Sequence, residues 1–258
     1  MFNQAIDELM GEAKSARKKL SKQPTMFVRQ QVASDIGTYL SNYANCLLNR
    51  QIDIFDDSLF LLEGGRLASA CTISRGMVET YAFAKLLGKK VEKALDKQPN
   101  AKGAEKALEI VISFTNSSRY KQESQKKLQK GTISIDDIYR TPEAKHRMEN
   151  MLAGSEHVMN ALRDLYEDEM KHTKEKASEF NIIYDVLSEW VHPSQTSIFH
   201  NYVTDAQKAS TSIGILTIKD QARMGNARAL HFITDSLNIH NWLLGLAKEM
   251  TMRSQQVG

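Results

Sequence analysis

The stretch Arg66-Leu-Ala-Ser-Ala-Cys-Thr-Ile-Ser-Arg-Gly-Met-Val-Glu-Thr-Tyr-Ala-Phe-Ala-Lys-Leu-Leu-Gly-Lys-Lys-Val-Glu-Lys-Ala-Leu-Asp96 decides the fold. It contains no proline. Leu67, Ala70, Cys71, Ser74, Val78 and Tyr81 recur at the steps that place side chains on one face of an α-helix. Ala68, Ala82 and Leu86 make a second apolar flank, about 80 to 100 degrees around the axis. A helix with two apolar flanks needs neighbours on both, so the stretch predicts a central helix. Gly64-Gly65, just before it, frees the backbone to change direction and ends the preceding segment.

The rest of the chain repeats this pattern. Four prolines and 13 glycines in 258 residues leave long runs of Ala, Leu, Lys, Glu and Met without a breaker, which is helix-forming composition. Ile6, Leu9, Ala13, Ala16 and Leu20 predict a helix over residues 3–20, stopped by Ser21-Lys-Gln-Pro24. Val28, Val32, Ile36, Leu40, Tyr43 and Leu47 predict another over 25–49, and a short helix or two turns follows over 53–63. Further helices are expected over 103–127, 142–152, 154–170 and 175–190. His192-Pro193 ends the last of these, because proline lacks an amide hydrogen and disfavours helical backbone before it. Helices over 204–216 and 219–250, which can run together, complete the chain. Residues 131–139 break the pattern as an extended loop or a lone strand. The expected fold is all-α: a multihelical bundle with long central helices, a less regular middle segment and a single domain over 1–258.

Several function classes are excluded at this level. Thirty-four Lys plus Arg against 31 Asp plus Glu gives a net charge of +3, too small an excess to announce a nucleic-acid protein. Cys46 and Cys71 cannot build a disulfide framework or a four-thiolate metal site, and both fall in apolar helical surroundings. The first residues form neither a signal peptide nor a presequence, and no uncharged apolar run is long enough to span a bilayer, so a cytoplasmic location without membrane contact is expected. No phosphate loop, dinucleotide loop or His-Glu-x-x-His is present, and no cofactor is expected. His231, Asp235 and His240 offer a weak metal or acid-base grouping; hydrogen-bonded structural histidines are the preferred reading. The basic run at Arg119–Lys130 reads as a solvated helix end, and that at Lys14, Arg17, Lys18, Lys19 and Lys22 as local enrichment rather than a binding face. An apolar side of the first or last helix would suit self-association.

Two polar pairs sit inside apolar helices. Arg75 and Glu79 are one turn apart in the central helix. An exposed pair of this kind contributes only about 0.2 to 0.5 kcal/mol, whereas a buried one demands partners for both charges. Ser188 and His192 repeat the offset in Tyr184-Asp-Val-Leu-Ser-Glu-Trp-Val-His192, beside a core line of Phe180, Ile183, Leu187 and Val191. Two helices facing these pairs toward each other would build one chamber. There Arg75 would hold a phosphate, Glu79 would orient or accept a proton from His192, and Ser188 would complete the network. The bland alternative is a structural salt bridge and a helix-capping histidine.

At Ile54-Phe55 to Glu63-Gly-Gly-Arg66, at Arg75-x-x-x-Glu79 and at Leu187-Ser188-x-x-Val191-His192-Pro193-Ser194, the chain resembles the domain of unknown function 5677 family, over roughly residues 50–200. That resemblance implies a common helical core with Arg75, Glu79, Ser188 and His192 as its characteristic polar residues. The core is also distantly similar to higher-eukaryote and prokaryote nucleotide-binding (HEPN) domains, many of which are implicated in RNA cleavage, toxin action or defence. Their signature is an Arg and a His four to six residues apart. Arg140 and His146 match the spacing, but Pro142 intervenes. The similarity implies a helical interaction or defence-related module, or, as the alternative, a metal-independent RNA-cleaving enzyme using Arg75, Glu79 and His192.

Overall fold

The computed structural model describes residues 2–26, 36–115, 156–174, 177–200 and 212–255. Among these the chain forms eight α-helices and one short π-helical turn, with no strand. The helices are α1 (Phe2–Lys18), α2 (Ile36–Glu63), α3 (Leu67–Lys97), α4 (Ala101–Thr115), α5 (Val158–Thr173), α6 (Glu179–Val191), α7 (Ser212–His231) and α8 (Ile233–Ser254); the π turn is Thr196–His200. The fold is the expected all-α bundle with long central helices. The basic run at 119–130, the segment 131–139, the helix expected over 142–152 and the Arg140/His146 pair all lie outside the described residues.

Some boundaries differ from the sequence expectation. Residues 21–24 break the helical run as expected, but residues 25–26, expected to open the second helix, are not helical either. Asn49 exchanges two side-chain hydrogen bonds with the Gln23 backbone (2.8 Å each), and the Asn45 amide donates to the Pro24 carbonyl (2.9 Å). The helices expected over 25–49 and 53–63 are one, because Gln51, Ile52 and Phe55 are buried and the core requires the turn between them to stay helical. The last helix is two, since the chain leaves helical geometry at Phe232. The Gly64-Gly65 stop is as expected. Gly65 adopts φ +70°, Arg66 donates its N–H to the Leu61 carbonyl (2.8 Å) and Gly65 to that of Leu62 (3.0 Å). This paired closure of a helix C-terminus favours glycine at the left-handed position.

The chain divides into two compact units. The first comprises Met1–Pro24, Asn45–Ala84 and Leu162–His240. Its apolar centre joins Ala13 and Leu20 to Leu48, Ile52 and Phe55 of α2, Met77 of α3, Leu230 of α7 and Ile233 of α8. Burying each of the large side chains contributes about 1.5 to 3 kcal/mol. Three members of the basic run over 14–22 are paired at the surface: Lys14 with Glu63 (3.1 Å), Arg17 with Asp56 (2.7 Å) and Lys22, past the end of α1, with Asp53 (2.5 Å). Helix α6 packs on α7, where Gly225 admits Val186 and Leu187. Between α3 and α7, Asn226 is wholly buried. Its Oδ1 accepts from the Ser74 hydroxyl (2.6 Å), and its Nδ2 donates to Cys71 Sγ (2.9 Å) and the Ala222 carbonyl (2.9 Å).

The second unit comprises Thr25–Ala44, Lys85–Ala161 and Asn241–Gly258. Leu40, Leu87, Val91, Ala107, Val111, Phe114, Leu243 and Met250 are buried in it. At Gly88 a Cβ would stand 2.2 Å from the Trp242 ring, so only glycine lets the indole lie flat against α3. Tyr39 and Thr115 hydroxyls bond at 2.9 Å. Glu156 is nearly buried and takes hydrogen bonds from the Lys90 ammonium, the Asn160 side chain (2.8 Å) and the His157 N–H (3.1 Å).

Candidate functional site

The first unit carries the polar cluster. Arg75 and Glu79 lie one turn apart on α3, with Arg75 Nε donating to Glu79 Oε1 at 3.1 Å. Both side chains keep about a quarter of their surface, 23% and 28%. Neither the fully solvated nor the fully buried expectation applies. The partner comes from α6: Arg75 Nη2 donates to the Tyr184 hydroxyl at 2.5 Å, and that hydroxyl donates to Glu79 Oε1 at 3.1 Å. Arg75 Cζ also stands 4.6 Å from the centroid of the Tyr184 ring, a cation over an aromatic face. The three groups close a ring of hydrogen bonds that holds the guanidinium in one orientation. Arg75 Nη1 has no acceptor among the described residues.

Helix α6 is built to present Tyr184. Ser178 caps its first turn by accepting from the Asn181 N–H (3.2 Å), and Glu169 of α5 accepts from the Ser178 hydroxyl and the Phe180 N–H (3.2 Å). Buried Ile183, Leu187 and Trp190 fix the rotation of the helix. Tyr184, Ser188 and His192 then follow at four-residue steps along one stripe. Ser188 turns its hydroxyl back to the Tyr184 carbonyl at 2.7 Å, a bond within its own helix. His192 ends the helix in extended backbone, its N–H on the Ser188 carbonyl (3.3 Å) and its own carbonyl accepting from the Ser194 N–H (2.7 Å) and the Ser197 hydroxyl (2.5 Å). The imidazole is exposed. No hydrogen bond or ion pair joins it to Arg75, Glu79 or Ser188 among the described residues.

Two further residues belong to the neighbourhood and were not singled out from the sequence. Tyr166 of α5 has a buried hydroxyl without a hydrogen-bond partner among the described residues. Burial pushes its phenol well above the ordinary range; Tyr184, Asp185 and Glu79 add to the rise, and Arg75 opposes it. Tyr184 is raised in the same way, first by burial and then by the Glu79 carboxylate, with Arg75 opposing. Both phenols therefore stay protonated near neutrality, and Tyr184 uses its proton on Glu79. Arg50 reaches from α2 to the next face of α3, its Nε donating to Thr80 Oγ1 at 3.1 Å. Tyr184 had a signal in the sequence, since it stands four residues before Ser188. Tyr166 and Arg50 had none.

The histidines and carboxylates of the last helices are engaged separately. His231 Nε2 meets Glu12 at 2.8 Å, Asp235 accepts from the Tyr81 hydroxyl at 3.0 Å, and His240 Nε2 meets Asn45 Oδ1 at 2.8 Å. Among the described residues no group of three or more His, Cys, Asp or Glu side chains is arranged to hold a metal ion, and no helix is long and apolar enough to cross a membrane.

No curated protein and no solved structure matches the chain. A family model does, and its span holds Arg75, Glu79, Tyr184, Ser188 and His192 together with Tyr166. With residues 41–209 matched, well over half its length, the chain belongs to the family of unknown function DUF5677.

Proposed function

We propose that the protein is a cytoplasmic helical binding module for a phosphate-bearing ligand, RNA in particular, anchored at Arg75. One observation carries this reading: the guanidinium is held by Glu79 and Tyr184 along one edge while Nη1 has no acceptor among the described residues. A planar guanidinium fork matches a phosphate in geometry as well as charge, and a side chain already fixed loses little freedom on binding. Glu79 offsets part of the arginine's charge, so the site relies on hydrogen-bond geometry more than on net attraction.

The second reading is metal-independent RNA cleavage by Arg75, Glu79 and His192, favoured by the single stripe of α6 that carries Tyr184, Ser188 and an exposed His192. Against it stands the length of that stripe. His192 stands eight residues beyond Tyr184, about 12 Å at the rise of an α-helix. Arginine and imidazole must meet at one phosphate for acid-base cleavage.

One experiment tests both. The full chain is titrated into a fluorescent single-stranded RNA across a salt series, followed by anisotropy, and the same samples are run on a denaturing gel. Arg75→Gln should weaken binding and lower the salt slope by about 0.7, the value of one phosphate contact on a single strand. Equal affinity and slope in the two proteins overturn the binding reading. Cleavage by the wild type that is lost in His192→Ala replaces it with the enzymatic one.

A further inference from the structure

A cavity of about 280 Å³ opens among α1, α5, α6 and α7, beside the polar cluster but lined by other residues. Its body is apolar: Leu9, Ile183 and the rings of Phe180 and Phe232, whose centroids are 5.1 Å apart. Tyr81 stacks on both rings, at 6.0 Å from Phe180 and 4.7 Å from Phe232, and is anchored by its hydroxyl on Asp235. The aromatic wall is therefore held in place before any ligand arrives.

Its charged rim is unevenly compensated. Glu179 is committed to Arg228 at 2.6 Å, and His231 to Glu12 at 2.8 Å. Glu169 differs from these. One carboxylate oxygen takes the Ser178 hydroxyl and the Phe180 N–H, while the other, Oε1, has no partner, and no cation pairs with it among the described residues. A carboxylate that no cation pairs with among the described residues, lining one cavity with two fixed phenyl rings, is the pairing of groups that recognises an organic ammonium ion: the carboxylate takes its N–H and the rings its charge.

We propose that this cavity binds a small organic cation, a primary amine on an apolar body, with its ammonium on Glu169 and its body against Phe180 and Phe232. Ligand pockets commonly run from about 300 to 1,000 Å³, so a cavity at the lower end suits an arylalkylamine and is too small for a nucleotide. The site uses neither Arg75 nor Tyr184 and stands independently of the phosphate-binding reading.

The test is calorimetric titration of the full chain with phenethylamine, 2-phenylethanol and 3-phenylpropionate, which share a body and differ in charge. Phenethylamine should bind at least about tenfold more tightly than the alcohol, the factor that corresponds to one favourable charge contact. Glu169→Gln keeps an oxygen for Ser178 and Phe180 and should remove that advantage. Phe232→Leu should weaken amine and alcohol together. The proposal is overturned if the amine fails to bind at millimolar concentration, if the acid binds best, or if Glu169→Gln leaves the preference for the amine unchanged.

Discussion

Replacing Tyr184 by phenylalanine removes one oxygen and leaves the ring, so it isolates the hydrogen bonds that hold Arg75. The bonds to Arg75 and Glu79 are lost: the one accepted from Arg75 Nη2 (2.5 Å) and the one donated to Glu79 Oε1 (3.1 Å). The direct Arg75–Glu79 bond (3.1 Å) and the stacking of the guanidinium on the ring (4.6 Å) remain. Hydrogen bonds to charged groups contribute about 1.5 to 3 kcal/mol each when water is excluded. Here Arg75 and Glu79 keep 23% and 28% of their side-chain surface, and water replaces part of what is lost. The expected destabilisation is about 1 to 2 kcal/mol for the pair of bonds together. Chemical denaturation followed by circular dichroism reads it as a lower midpoint at unchanged slope. Combined with Glu79→Ala, the two losses should fall short of additivity by about 0.5 kcal/mol or more, because both changes cut the same ring of bonds. A Tyr184→Phe protein as stable as the wild type, with no coupling to position 79, would refute the ring. The argument that Arg75 is held ready for a phosphate would fall with it.

Stability should also depend on acid through His240. Its Nε2 is occupied by Asn45, its Nδ1 is buried without a partner among the described residues, and burial holds its pKa below the ordinary value. The unfolded chain then takes up the proton first, so this stabilisation is complete above about pH 6.5 and is lost as pH falls through the folded value. Denaturation midpoints across that interval should drop on acidification in the wild type and drop less in His240→Gln; a wild-type midpoint that rises on acidification contradicts the assignment. The two thiols should separate in a thiol-disulfide exchange assay. Cys46 is exposed, while Cys71 is buried with its thiol pushed up to about 12 by that burial. One thiol should react in the native protein and the second only in denaturant, and two fast native thiols would be inconsistent with the packing around Asn226.

The central helix was legible because its constraints are local. Ala70, Cys71, Val78, Tyr81, Ala82 and Leu86 are all buried, as two apolar flanks require. Ser74 lies on the same face, and its partner Asn226 stands 152 residues away, beyond any periodicity argument. The join within α2 was missed because Asn49-Arg50-Gln51 is polar in sequence, although Gln51 is buried in the fold. The break at Phe232 carries no proline or glycine to announce it; its ring packs on Tyr81 and Phe180 instead. Cys46 was assigned to apolar surroundings and is exposed. Within the candidate site, the four-residue offsets identified Arg75 with Glu79 and placed Ser188 and His192 on one stripe. They could not say which member of that stripe meets the arginine. Tyr184 does so because a phenol reaches farther from its helix than a serine, whose hydroxyl satisfies itself on the preceding turn.

The side-chain amide of Asn226 has a bearing on how the chain avoids wrong answers as it collapses. Leucines and alanines along α3 and α7 would tolerate sliding one helix past the other by a turn, since one greasy surface is much like the next. Such a slip would strand this amide and the Ser74 hydroxyl in a dry interior, at about 1 to 3 kcal/mol for each orphaned group. A lone uncharged polar contact thereby acts as an alignment pin, rejecting misregistered pairings that apolar contacts alone would accept.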